Sequence, residues 1–152
     1  MVLGDFMKPE ELLSNLEAIA SATPAAVLCT TDSRGKGFIR WMTPVVMKYR
    51  PGMIYTFSAP NAAKIGHIEE GSDAEWMFQG SDLREIINIR GAIKAISNPE
   101  LKAELLYMIA PKMYKYWKSD AKPGDLVILE TIIEEAIYYL PLEGTRQLVH
   151  FT

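Results

Sequence analysis

The sequence predicts a mainly β chain with a few helices, folded as a small antiparallel barrel, closed or split, of six strands. Three observations carry this expectation. Apolar runs are joined by the tight turns "DSRGKG" and "RPG", which leave room only for antiparallel neighbours. The run "REIINIRGAIKAIS" alternates, with Ile87, Ile89, Gly91, Ile93 and Ala95 on one face and Asn88, Arg90 and Lys94 on the other. Helical periodicity is confined to a few stretches. The 152 residues suit one domain with one sizeable core, taken as the whole chain.

The elements follow in order. "KPEELLSNLEAIASA" is amphipathic, with Pro9 in its first turn and Leu12, Leu13, Leu16 and Ile19 in one stripe, so a helix is expected over about 8–22. "PAAVLCTT" is short and apolar, a first strand. "FIRWMTPVVMKY" is the second; Pro44 cannot donate to a ladder and marks an edge or a bulge. "MIYTFS" is the third. A short helix over 61–70 leads to "AEWMFQ", the fourth strand, and the alternating run above is the fifth. "NPELKAELLYMI" reads as a helix capped by Asn98 with Pro99 at its first position. Pro111 predicts a break there, with "KMYKYW" as a separate helical piece. The β-branched residues of "DLVILETIIEEAIYYLP" favour a long strand, and "TRQLVHFT" is a candidate for a last short one.

Composition narrows the function. Apolar residues make up 49% and charged ones 23%, and the net charge is −3 without a basic run, which argues against a nucleic-acid partner. The one cysteine, Cys29, lies in an apolar run, where a buried, inert side chain in a reducing compartment is expected. No stretch approaches a membrane span and the N-terminus lacks the pattern of a signal peptide, so a cytoplasmic protein is expected. The two histidines, His67 and His150, have no partners at ligand spacing, and no metal site is expected. Nucleophile elbows, phosphate loops and dinucleotide glycine patterns are missing from the sequence.

Two segments carry candidate chemistry. In "SAPNAAKIGHIEE", Lys64 falls in the first turn of the expected helix, where the macrodipole is already positive, and Glu69 and Glu70 sit near its other end, also with the unfavourable sign. Asn61 can cap this helix, and Ala62 and Ala63 leave its first amides uncovered. Amides, dipole and Lys64 together make an anion site. A solvated lysine on an ordinary helix is the alternative. In "RWMTP", strand alternation places Arg40 and Met42 on one face and Trp41 and Thr43 on the other. An arginine amid apolar strand residues needs a carboxylate, a phosphate or solvent. Trp76 and Phe78 are expected in the core. Tyr107, Tyr114, Tyr116 and Trp117 form an aromatic patch suited to a core or dimer surface.

The order "CTTDSRGKGFIRWMTPV", then "GMIYTFSAPNAAKIGHIEE", then a strand pair centred on Gly91, resembles the FMN-binding split β-barrel of the pyridoxamine 5′-phosphate oxidase-like proteins, particularly their small stress-protein branch. The resemblance covers about residues 24–96. It implies an α+β, six-stranded antiparallel split barrel that forms a homodimer, with FMN in a cleft between the subunits. Arg40 and Lys64 would then meet the phosphate, Trp41, Met42 and Thr43 would line the isoalloxazine ring, and Phe57 and Ser58 would end the third strand beside it. The anion awaited at Asn61 and Lys64 would be the FMN phosphate. There are departures. Enzymes of the family usually carry Ser-Arg-Lys where this chain has Ala62-Ala63-Lys64. Ile86 stands where a flavin-contacting glutamine is expected, leaving Gln79, Arg84 or Glu85 to reach the site. The C-terminal tryptophan and arginine segment of true pyridoxamine phosphate oxidases has no counterpart, so vitamin B6 oxidation is not implied. The expectation is an FMN-dependent oxidoreductase acting on a small-molecule substrate or electron donor. A deazaflavin or haem in place of FMN is one alternative; a non-catalytic flavin carrier or dimeric interaction module is another.

Overall fold

The structure, a computed structural model, describes residues 7–59, 68, 71–116 and 125–151. The chain runs α1 (Pro9–Ala22), β1 (Ala26–Thr31), β2 (Gly37–Met42), β3 (Met53–Ser58), β4 (Ser72–Gln79), β5 (Ile86–Ile96), α2 (Pro99–Tyr116), β6 (Val127–Leu140) and β7 (Thr145–His150). The strands form one antiparallel sheet in the order β2-β1-β4-β5-β6-β3, with β7 also paired to β6. That is seven strands among the described residues, where six were expected; the tail "TRQLVH" supplies the seventh. The long β6 serves two neighbours on one side, β3 along its first half and β7 along its second.

The sheet does not close through a ladder. A lone bridge, Val45↔Tyr55, joins the segment after β2 to β3, with Val45 N–H donating to the Tyr55 carbonyl at 2.7 Å and Tyr55 N–H returning at 3.0 Å. Curvature comes partly from β5, whose pairing with β6 shifts register between Arg90 and Gly91. Only glycine fits there: a Cβ on Gly91 would lie 2.2 Å from the Ile132 carbonyl oxygen. The β1–β2 turn is held by Asp32, whose carboxylate accepts from the Arg34 and Lys36 amides at 2.9 and 3.0 Å, with Gly35 at φ +82°.

Two apolar clusters result among the described residues. The interior one collects Leu28, Ile54, Trp76, Phe78, Ile87, Ile89, Ile93, Leu129 and Ile133, sealed by Leu12, Leu16 and Ile19 of α1. Trp76 and Phe78 are thus core residues. The second packs Leu101, Leu105 and Ile109 of α2 against Tyr55, Phe57 and Ile128, so β3 is buried on both faces. The Leu101 amide donates to the Asn98 side chain at 3.1 Å, the expected cap.

The expected break at Pro111 is not found: α2 runs unbroken from Pro99 to Tyr116 with Pro111 inside it. Proline there removes the bond to the Tyr107 carbonyl, but Tyr107 lies on the solvent side, and the Leu101–Leu105–Ile109 stripe holds the helix from the other. Cys29, expected buried, is half-exposed because alternation in β1 points it outward between Leu28 and Thr30. Among the described residues, no helix is long and apolar enough to cross a membrane.

Candidate functional site

β2 is an edge strand, and its burial alternates: Phe38, Arg40 and Met42 turn inward, Ile39 and Trp41 outward. The strand ends at Met42, ahead of Pro44. Thr43, expected on the outer face with Trp41, is instead fully buried at 0% exposure, because alternation stops where the strand does. The Val45↔Tyr55 bridge sets this segment beside β3, and the Thr56 hydroxyl donates to the Thr43 carbonyl at 3.3 Å. The end of β2 and the end of β3 are therefore neighbours, with Met42, Thr43 and Ser58 near the junction and Arg40 two residues earlier on β2, its head group turned back toward Phe38 and Thr30.

Polar pairing here is incomplete. Arg40 is half-buried with neutral partners: one Nη donates to the Phe38 carbonyl and the other to the Thr30 hydroxyl at 2.6 Å. Among the described residues, no carboxylate lies within 4.0 Å of it to form an ion pair. Burial lowers the guanidinium pKa from its ordinary value, with neighbouring Cys29 acting the other way; an arginine stays charged regardless. Three buried side-chain polar atoms have no partner among the described residues: Arg40 Nε, Thr43 Oγ1 and Ser58 Oγ. Leaving such groups unpaired carries a desolvation cost. The large majority of buried side-chain polar atoms are paired, so three unpaired ones on Arg40, Thr43 and Ser58 call for an explanation.

Other candidates lie elsewhere. The Phe57 ring faces away from Ser58 and is packed beneath α2. Trp41 is 54% exposed on the outer face of β2, beside Ile39 at 75%. Gln79 is exposed at the end of β4, two strands from β2, and donates to Met77 Sδ at 3.2 Å. Arg84 is exposed and paired with Asp82, while Glu85 accepts from the Tyr138 hydroxyl. Asn61, Ala62, Ala63, Lys64, His67 and Trp117 lie outside the described residues, as do the side chains of Tyr114 and Tyr116. Sequence reasoning missed Thr30. Its link to Arg40 depends on the register of two strands, in which Leu28 opposes Arg40 and Thr30 opposes Phe38.

The outer face beside β2 is apolar. A groove of about 430 Å³ runs over β1, β2, β4, β5 and β6, lined by Val27, Cys29, Ile39, Met77 and Ile137 among others, with the Glu75–Arg90–Glu135 ion pairs along it.

No protein-family model matches this chain, and no curated protein matches its sequence. Solved structures do match its fold. A Clostridium acetobutylicum protein related to general stress protein 26 of B. subtilis (pyridoxinephosphate oxidase family) is 13% identical, with 95% of this chain and 97% of that one covered and a TM-score of 0.70. General Stress Protein 26 from Bacillus anthracis is 16% identical, covering 89% and 96%, at 0.66. The general stress FMN/FAD binding protein from Xanthomonas citri is 20% identical, covering 84% and 87%, at 0.66. Likeness at these identities is a likeness of fold. The chain has the pyridoxamine 5′-phosphate oxidase-like split-barrel architecture that its sequence resembles.

Proposed function

We propose that this protein binds FMN at the corner formed by Arg40, Met42, Thr43 and Ser58, and that it works as a small flavin oxidoreductase. The observation that supports this reading is that three buried polar atoms, on Arg40 of β2, Thr43 just after it and Ser58 at the end of β3, have no partner among the described residues. A flavin offers what they lack: phosphate oxygens for Arg40, and ring carbonyls and nitrogens for the two hydroxyls, which reach a ligand by rotation about χ1. A half-buried guanidinium with only neutral partners also fits a phosphate. Asn61 and Lys64 join the phosphate side on the sequence reading. The Xanthomonas citri neighbour is described as an FMN/FAD binding protein, in keeping with this assignment.

Bound flavin would supply reversible electron or hydride transfer. The chain's own residues would bind and orient. Arg40 carries the charge that holds an anion. Met42 and the buried walls of the corner exclude water, which strengthens each polar contact within. Thr43 and Ser58 donate or accept single hydrogen bonds that set ring orientation. None of these four titrates near neutral pH, so the side chains tune and position rather than shuttle protons.

The outer face favours a homodimer. Ile39 and Trp41 project from the edge strand that also carries Arg40, and Met77 and Leu148 are exposed on the same sheet. A second copy covering this surface would bring the β2 edge to the subunit boundary, with the Arg40 corner on the opposite face of the same strand. In a titration of the purified protein with FMN, saturation at one flavin per chain on a dimer is expected. Arg40→Met should weaken binding at least about tenfold, the loss of one charge-assisted contact. Absence of saturable binding, or a monomer binding equally well, would overturn the reading.

A further inference from the structure

Thr30 is 1% exposed and lies on β1, diagonal to Arg40 across the β1–β2 ladder. Its hydroxyl accepts from Arg40 Nη2 at 2.6 Å, while Nη1 donates to the Phe38 carbonyl directly opposite Thr30. The two anchors grip the guanidinium from one side. We infer that Thr30 is a positioning residue for anion binding: it holds the Arg40 fork so that the remaining N–H edge faces the ligand. The inference rests on the flavin reading of the corner. It follows from geometry. A free arginine side chain has about 2 kcal/mol of rotamer entropy to lose on gripping a phosphate. One already pinned at both Nη atoms has lost most of it in folding, so less is taken from binding. Phe38 contributes a main-chain oxygen, so Thr30 is the side chain among the described residues that can be varied to test this.

The test compares FMN affinity in the wild type, Thr30→Val, Thr30→Ser, Arg40→Met and the Thr30→Val/Arg40→Met double variant, with denaturation midpoints for each. Guanidinium NMR on the ligand-free protein is the second measurement. Thr30→Val keeps shape and loses the acceptor. It should weaken FMN binding about fivefold, the worth of one ordinary hydrogen bond. Thr30→Ser should restore it, and Thr30→Val should cost nothing further once Arg40 is gone. The Arg40 Nη resonances should show restricted rotation in the wild type and lose it in Thr30→Val. Equal affinity in Thr30→Val, an equal loss in both backgrounds, or unchanged Arg40 dynamics would overturn the positioning role while leaving the flavin site intact. Failure of the wild type itself to bind FMN would instead overturn the flavin reading, and the role assigned to Thr30 with it.

Discussion

Thr43 and Thr131 are both buried at 0% exposure within one small barrel, yet they occupy opposite kinds of environment. The Thr131 hydroxyl accepts from the Trp76 indole N–H at 3.0 Å, between β6 and β4, deep in the interior cluster. The Thr43 hydroxyl has no partner among the described residues, and neither has that of Ser58 nearby. Of the five buried polar residues among those described, Thr30, Thr56 and Thr131 are paired and these two are not. A structural polar group is paired by the protein itself; a group kept for a ligand is left open. On the proposed function, the contrast is one between scaffold and site.

The most severe way to probe the scaffold side is Gly91→Ala. The added Cβ would lie 2.2 Å from the Ile132 oxygen and 3.1 Å from Thr131 Cγ2, and the first contact is backbone. The β5–β6 ladder must then part at its bulge. A loss of about 3 kcal/mol or more is expected, the upper range for overpacking, read as a fall in denaturation midpoint at unchanged slope. A midpoint within error of wild type would mean that the strands there are not so closely apposed.

Thr131→Val is the next largest. It keeps the volume and leaves the Trp76 N–H buried without an acceptor, so a loss of roughly 1–3 kcal/mol is expected. Indole fluorescence should also shift as the hydrogen bond goes. If stability is unaffected, the Trp76 pair does not hold the interior, and the scaffold half of the comparison fails.

How far the sequence revealed each side follows from the range of the interactions. Alternation in 86–96, the Asn98-Pro99 helix start and the β-branched run 127–140 are local signals, and each became the expected element. The end of α2 did not, because packing of Leu101, Leu105 and Ile109 outweighs the local cost of Pro111. At the site, Arg40 and Met42 were placed correctly on one face by period two alone. Thr43 departed from that period because the strand stops before Pro44. Phe57 was legible as a strand-end aromatic, but α2 covers it from the far side, a contact more than forty residues away in sequence. Thr30 was invisible for a similar reason: its meaning comes from the register of β1 against β2 and the reach of one arginine.

The smallest expected change in stability decides the comparison. Thr43→Val is the same substitution as Thr131→Val at an equally buried position, but it removes a hydroxyl with no partner among the described residues to strand. Ligand-free stability should move by no more than ~0.5 kcal/mol, and a slight gain is allowed, since replacing an unpaired polar group by methyl relieves its desolvation cost. FMN affinity should fall by about fivefold in the same protein, one hydrogen bond's worth. The two readings must diverge for the corner to be a site: stability flat, affinity lowered. If Thr43→Val costs as much stability as Thr131→Val, its hydroxyl has a structural partner and the corner is scaffold. If both quantities stay flat, the hydroxyl serves neither fold nor flavin, and Ser58→Ala and Arg40→Met become the variants on which the flavin site stands or falls.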